Sequence, residues 1–206
     1  MKKLLLLLFS LFFLSSPSVF ADDISDFQIE GISIGDSLLD YMTEDEILKE
    51  IELNKDDYYF LNEPNKYIEI YLFKDFPTYS FVSIFIENNS SNKYLTNKND
   101  KYIIQSTRGF IIFIEDHNSC ILKRDEITET FSEMFPNAEK WDAIFPKSDD
   151  PSGKSIMDAI NIVIEGGSVQ VACSSYDETY RIKKNYTEGL SVVIRPKKIA
   201  NWMLDK

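Results

Sequence analysis

Residues Lys101–Phe135 (KYIIQSTRGFIIFIEDHNSCILKRDEITETFSEMF) run a strand pattern straight into the longest amphipathic helical pattern in the chain. Tyr102–Ile114 is rich in Ile and Phe, side chains that suit a half-buried pleated surface. Arg108-Gly109 interrupts that run, and a lone Gly inside a strand pattern predicts a bulge or tight turn. Asp116-His117-Asn118-Ser119 then offers several N-cap oxygens. Cys120, Ile121, Ile127, Phe131, Met134 and Phe135 recur at three- and four-residue spacing, while Asp125, Glu126, Glu129 and Glu133 fall mostly off that face. Pro136 stops the helix. A strand followed at once by the helix that covers it requires a layered fold, with Cys120 on the buried side.

The flanking segments extend this pattern. Phe27–Gly35 alternates and reads as a short extended segment. Two short helices follow, over Asp36–Met42 and Glu44–Leu53, the second opened by the capping-box spacing Thr43…Glu46. Tyr67–Phe73 (YIEIYLF), Tyr79–Glu87, Ser155–Glu165, Ser168–Ser174 and Leu190–Arg195 read as strands, with Gly166-Gly167 as a hairpin turn. Lys197–Leu204 forms a terminal helix that packs Ile199, Trp202 and Met203. Asn137–Pro151 reads as irregular, and Tyr176–Glu188 as a charged connection. The expected fold is α+β: a mainly antiparallel sheet covered on one side by helices, with one disulfide. Residues 22–206 form a single domain in this reading. A helix-then-strands order occurs twice in it, over about 30–115 and 116–206, without a shared residue pattern.

The first residues set the compartment. Met1-Lys2-Lys3 is a positive start, Leu4–Leu14 an apolar run broken only by Ser10, and Val19-Phe20-Ala21 a small-x-small cleavage site. This predicts a secretory signal peptide over 1–21, cleavage near Ala21, and a periplasmic or extracellular destination. No Cys follows the apolar run to take a lipid anchor, and no later segment is apolar enough to span a bilayer. In an oxidising compartment the only two cysteines, Cys120 and Cys173, read as one disulfide, worth on the order of 3–4 kcal/mol. The chain holds 34 acidic and 22 basic residues. Without the two signal lysines the net charge is about −14, which argues against nucleic acid as a partner.

No motif assigns a reaction, and no catalytic, cofactor-binding or metal-ligating residues are expected. Asp150-Pro-Ser-Gly-Lys-Ser155 ends like a phosphate-binding loop, but Ser148 stands where the first Gly belongs. His117 is the only histidine, so a His-Glu-x-x-His site is excluded, and it sits where a helix cap is expected. Paired carboxylates near Glu115, Asp116 and Asp150 offer one route to hydrolysis, provided that two acids converge and one has a raised pKa. Tyr58, Tyr59 and Trp141 offer another role, as a surface for a small ligand. The leading expectation is a non-catalytic binding protein, with an envelope protein or a small ligand as partner.

Gly31-Ile-Ser-Ile-Gly-Asp-Ser-Leu-Leu-Asp40, the Cys120…Cys173 pair, Asp150-Pro-Ser-Gly-Lys-Ser155 and Glu188-Gly-Leu-Ser-Val192 together resemble an uncharacterised family of small secreted bacterial proteins. That resemblance spans most of the mature chain and implies no activity. In layout alone, two short helices leading into a meander are similar to the small lipoprotein of the outer-membrane assembly machinery and to β-lactamase-inhibitor folds. The missing lipidated Cys departs from the former, and layout does not fix function.

Overall fold

A computed structural model describes residue 24 and residues 27–205; the proposed signal segment lies outside them. Its centre is a seven-stranded antiparallel sheet. The strands are β3 (Tyr67–Leu72), β4 (Phe81–Glu87), β5 (Ile104–Ile112), β6 (Glu139–Pro146), β7 (Ile156–Ile164), β8 (Gly167–Ser175) and β9 (Gly189–Pro196). They lie in the order β3-β4-β5-β9-β8-β7-β6, so two meanders meet where β5 pairs with β9. A separate hairpin joins β1 (Gln28–Ile29) to β2 (Ile32–Ser33). Glu30 and Gly31, its two turn residues, have φ of 54° and 75°, the positive pair a tight two-residue turn demands. That turn folds the expected extended segment back on itself.

Helices α1 (Glu44–Asn54) and α2 (His117–Met134) cover one face of the sheet. Thr43 and Glu46 form the capping box at the start of α1, with both reciprocal bonds present. Ile47 of α1 is fully buried in one apolar cluster with Ile68, Ile70 and Leu72 of β3 and Val82, Ile84 and Ile86 of β4. The expected helix over Asp36–Met42 shortens to a 3-10 turn over Leu38–Asp40 capped by Ser37. α2 packs over β8, β9 and β7 around the Cys120–Cys173 disulfide, whose S–S distance is 2.04 Å. Asp116 is its N-cap, accepting the Ser119 amide at 3.1 Å.

Three local expectations change. Gly109 makes neither bulge nor turn: it pairs regularly with Val82 and Val192, and the ring of Tyr79 occupies the place a Cβ would take. The register shift lies instead between Phe85 and Ile86, opposite β5. The irregular stretch after Pro136 contains β6, an edge strand with almost every side chain exposed, so no burial alternation marked it. The charged connection contains α3 (Glu178–Lys184), which starts at the Asp177 cap and ends at Asn185 in the left-handed conformation.

The opposite face of the sheet is only partly covered. α4 (Lys197–Leu204) buries Ile199 and Trp202 against Tyr67, Phe85 and Leu61 at one side. Trp202 Nε1 donates to the Glu63 carbonyl at 2.8 Å, and Asn62 binds the Asp205 carboxylate at 2.9 Å. Together these contacts fasten the loop after α1, including Tyr58, to the helix.

Candidate functional site

Strand alternation decides what the uncovered face presents. Glu69 and Tyr71 of β3, Phe81 and Phe85 of β4, Ser106, Arg108 and Phe110 of β5, and Ser191, Val193 and Arg195 of β9 all point away from α1 and α2. They floor a cavity of about 630 Å³. Tyr58 and Met203 wall it on the α4 side; Tyr176, Asn185, Tyr186 and Thr187, from the segments around α3, wall it on the other.

The cavity has an aromatic part and a charged part. Phe81 and Phe110, cross-strand partners, stack with centroids 4.9 Å apart, and Phe73 and Tyr71 adjoin Phe81 at 5.5 and 6.1 Å. Tyr176 and Tyr186 pack at 5.1 Å within the wall beside α3. Two residues along β5 from Phe110 stands Arg108, and Arg195 is its diagonal neighbour on β9. Diagonal positions of this kind are roughly 7–8 Å apart.

Glu69 organises the charged part. It is 3 % exposed and accepts hydrogen bonds from Tyr58 Oη and Ser83 Oγ, both at 2.6 Å. Its Oε1 also lies 3.1 Å from Arg108 Nη2. Burial first, and the Glu69 charge after it, raise the phenols of Tyr58 and Tyr71, which therefore remain hydrogen-bond donors. Arg108 keeps 29 % of its side chain exposed, on the cavity side.

Arg195 differs from Arg108. Among the described residues it has no ion-pair or side-chain hydrogen-bond partner; its Nε, like that of Arg108, is buried without an acceptor. Burial lowers its pKa, and the neighbouring Arg108 charge lowers it further, with Tyr58 and Glu69 opposing. An arginine keeps its proton under such conditions, so its charge stays in the cavity without an ion-pair partner among the described residues. Among the charged residues of the wall, Arg108, Arg195 and Lys147 face one carboxylate, Glu69. This positive lining belongs to a chain of net charge −12.

The three aromatic residues singled out from sequence are not brought together. Tyr58 lines the cavity. Tyr59 is 78 % exposed and Trp141, on β6, is 44 % exposed; neither is part of the cavity wall. The carboxylates considered for hydrolysis are also scattered. Asp116 is occupied as the α2 cap, and hydrogen bonds from Ser119 lower its pKa. Glu115 borders a smaller cavity of about 190 Å³ with His117, Arg181 and Glu188. His117 is the first residue of α2, not its cap, and its Nδ1 is buried without a partner. Asp150 lies beside a third cavity, next to Asp149 and Tyr180.

Asp150 also explains the phosphate-loop likeness. Its carboxylate accepts the Ser152 and Ser155 amides, each at 2.9 Å, and the Ser152 hydroxyl at 2.7 Å. The amides that would cradle a phosphate are thus taken by a carboxylate of the same loop. Among the described residues no group of three His, Cys, Asp or Glu side chains is placed to hold a metal, and no helix is long and apolar enough to cross a membrane.

No known family, characterised protein or solved structure matches the chain. Glu69, Arg108 and Arg195 escaped sequence reading. Glu69 looked like the acid of an alternating strand, Arg108 like half of an interruption shared with Gly109, and Arg195 like a strand-end charge. The available signal was the company they keep: Tyr67, Tyr71 and Phe73 share the Glu69 face, and Phe110 shares that of Arg108.

Proposed function

We propose that this chain is exported from a bacterial cytoplasm, loses its first residues near Ala21, and acts without catalysis as a binding protein for a small organic ligand. The ligand lies on the sheet face opposite α1 and α2. The observation that carries this reading is the aromatic trough of about 630 Å³ between α4 and the Tyr176–Thr187 wall. Ligand sites are commonly clefts of about 300–1,000 Å³ with apolar and aromatic walls and a few placed polar groups. A disulfide across the opposite face suits the oxidising compartment that the leading segment implies.

A protein partner finds a poorer surface. The free edge of β6 exposes Ile144 and Phe145, yet it carries Glu139, Lys140 and Asp142, and charges of this kind hinder strand addition.

The test uses N-phenyl-1-naphthylamine, a neutral fluorophore that brightens in apolar sites. The folded protein should bind it saturably at one site. Ser191→Trp, which places an indole on the cavity floor, should weaken that binding at least tenfold with the melting temperature little changed. Equal binding by both proteins, or no saturable binding by the native chain, would overturn the reading.

A further inference from the structure

The geometry points to an aromatic or apolar organic anion as the ligand of this cavity, with its acidic group held between Arg195 and Arg108 and its ring on Phe110, Phe81 and Tyr71. The inference rests on the binding role proposed above and adds the chemical class of the ligand.

Charge supplies the first argument. Arg195 has no counterion among the described residues, and Glu69 is shared out among Arg108, Tyr58 and Ser83. Both guanidinium groups present donors in fixed planes, the arrangement that holds carboxylate, sulfonate or phosphate oxygens best. A neutral ligand would leave Arg195 as unbalanced as before and bury it further. An anion brings the missing charge, so its gain is larger than it would be on an exposed surface. The surrounding acidic chain sharpens this contrast, because the carboxylates outside the cavity repel anions from other sites.

Spacing supplies the second. Arg108 and Phe110 are alternate residues on one strand, so their side chains rise from the same face roughly 7 Å apart. The stacked Phe81–Phe110 pair continues outward to Tyr71 and Phe73. A compact molecule with an acidic group one or two bonds from a ring system spans the two parts. Glu69 sets a limit on the head group. It already occupies one side of Arg108, so the anion approaches from the Arg195 side.

The test compares two probes with one skeleton. 1-Anilinonaphthalene-8-sulfonate is N-phenyl-1-naphthylamine with a sulfonate added. Fluorescence titration of the native chain should show the sulfonate binding about tenfold tighter or more, as expected for hydrogen bonds to a charged group. Arg195→Met should remove most of that preference while retaining affinity for the neutral probe; Arg195→Lys should keep part of it. If the neutral probe binds as tightly as the sulfonate, the anion inference fails and the cavity remains a binding site. If neither probe binds, both readings fail. The native protein's ratio decides the matter even if Arg195→Met does not fold.

Discussion

Asp150 shows how one side chain can hold a loop in shape. Its carboxylate gathers the Ser152 amide and hydroxyl and the Ser155 amide while almost wholly covered by protein. Burial by itself would raise its pKa, but these hydrogen bonds outweigh burial and leave it well below the ordinary 3.8. Its neighbour Asp149 is lowered from 3.8 to about 2 by Lys184 and Tyr180. A carboxylate depressed in the folded state stabilises the fold fully above its unfolded pKa and loses that effect as pH falls through the folded value. Asp150→Asn should therefore lower the melting temperature at pH 7, and the gap to the native chain should narrow below about pH 4. Thermal melts between pH 7 and pH 2 would check this; a gap that widens on acidification contradicts it. The acid was visible in the sequence as part of Asp150-Pro-Ser-Gly-Lys-Ser155, but its partners were not, because they depend on the loop closing on itself. Arg195 was equally visible and equally silent. Its isolation appears only when β9 is set beside β5.

At the scale of elements, α2 carries the clearest case of sequence and structure agreeing in part. Its extent and the burial of Cys120 follow from the pattern of apolar residues. The centre of its buried stripe does not, since Arg124 and Thr128 stand there one and two turns from Cys120. Arg124 pairs with Asp158 on β7, and Asp158 is the cross-strand partner of Cys173. Covalent and ionic attachments thus fix successive turns of α2 to adjacent strands. Period counting treats a charged residue as solvent-facing, and only the partner strand reveals the pair. The disulfide closes a sequence separation of 53, for which chain entropy predicts about 4 kcal/mol. Cys120→Ser should lower the melting temperature by roughly 10 °C and leave Cys173 open to thiol reagents after unfolding. An unchanged melting temperature would show that packing and the Arg124–Asp158 pair hold α2 unaided. β6 and α3 were missed for opposite reasons: β6 has no buried face to pattern, and α3 is too short for period to register.

The whole molecule is asymmetric across its sheet. One face is sealed by α1, α2, the disulfide and a continuous apolar layer in which Tyr79 and Phe131 touch both main clusters. The other is left open between α4 and the Tyr176–Thr187 wall, and there the chain places aromatic rings and two arginines. The α+β class and most strands were legible in the sequence because alternation and turn residues report local geometry. The site was not, because it is assembled from β3, β4, β5, β7, β8, β9, α4 and several distant connections. Tyr58 alone was singled out from sequence and also lines it; Tyr59 and Trp141 stand elsewhere. Export and ligand binding together make a coherent proposal, and its central claim is that the open face receives a small molecule. Amide chemical shifts of the isotope-labelled mature chain, followed during titration with N-phenyl-1-naphthylamine, test that claim most directly. The account predicts saturable shifts concentrated on β3, β4, β5, β9 and residues 176–187. Shifts centred on α1 and α2, or none at saturating probe, would contradict it.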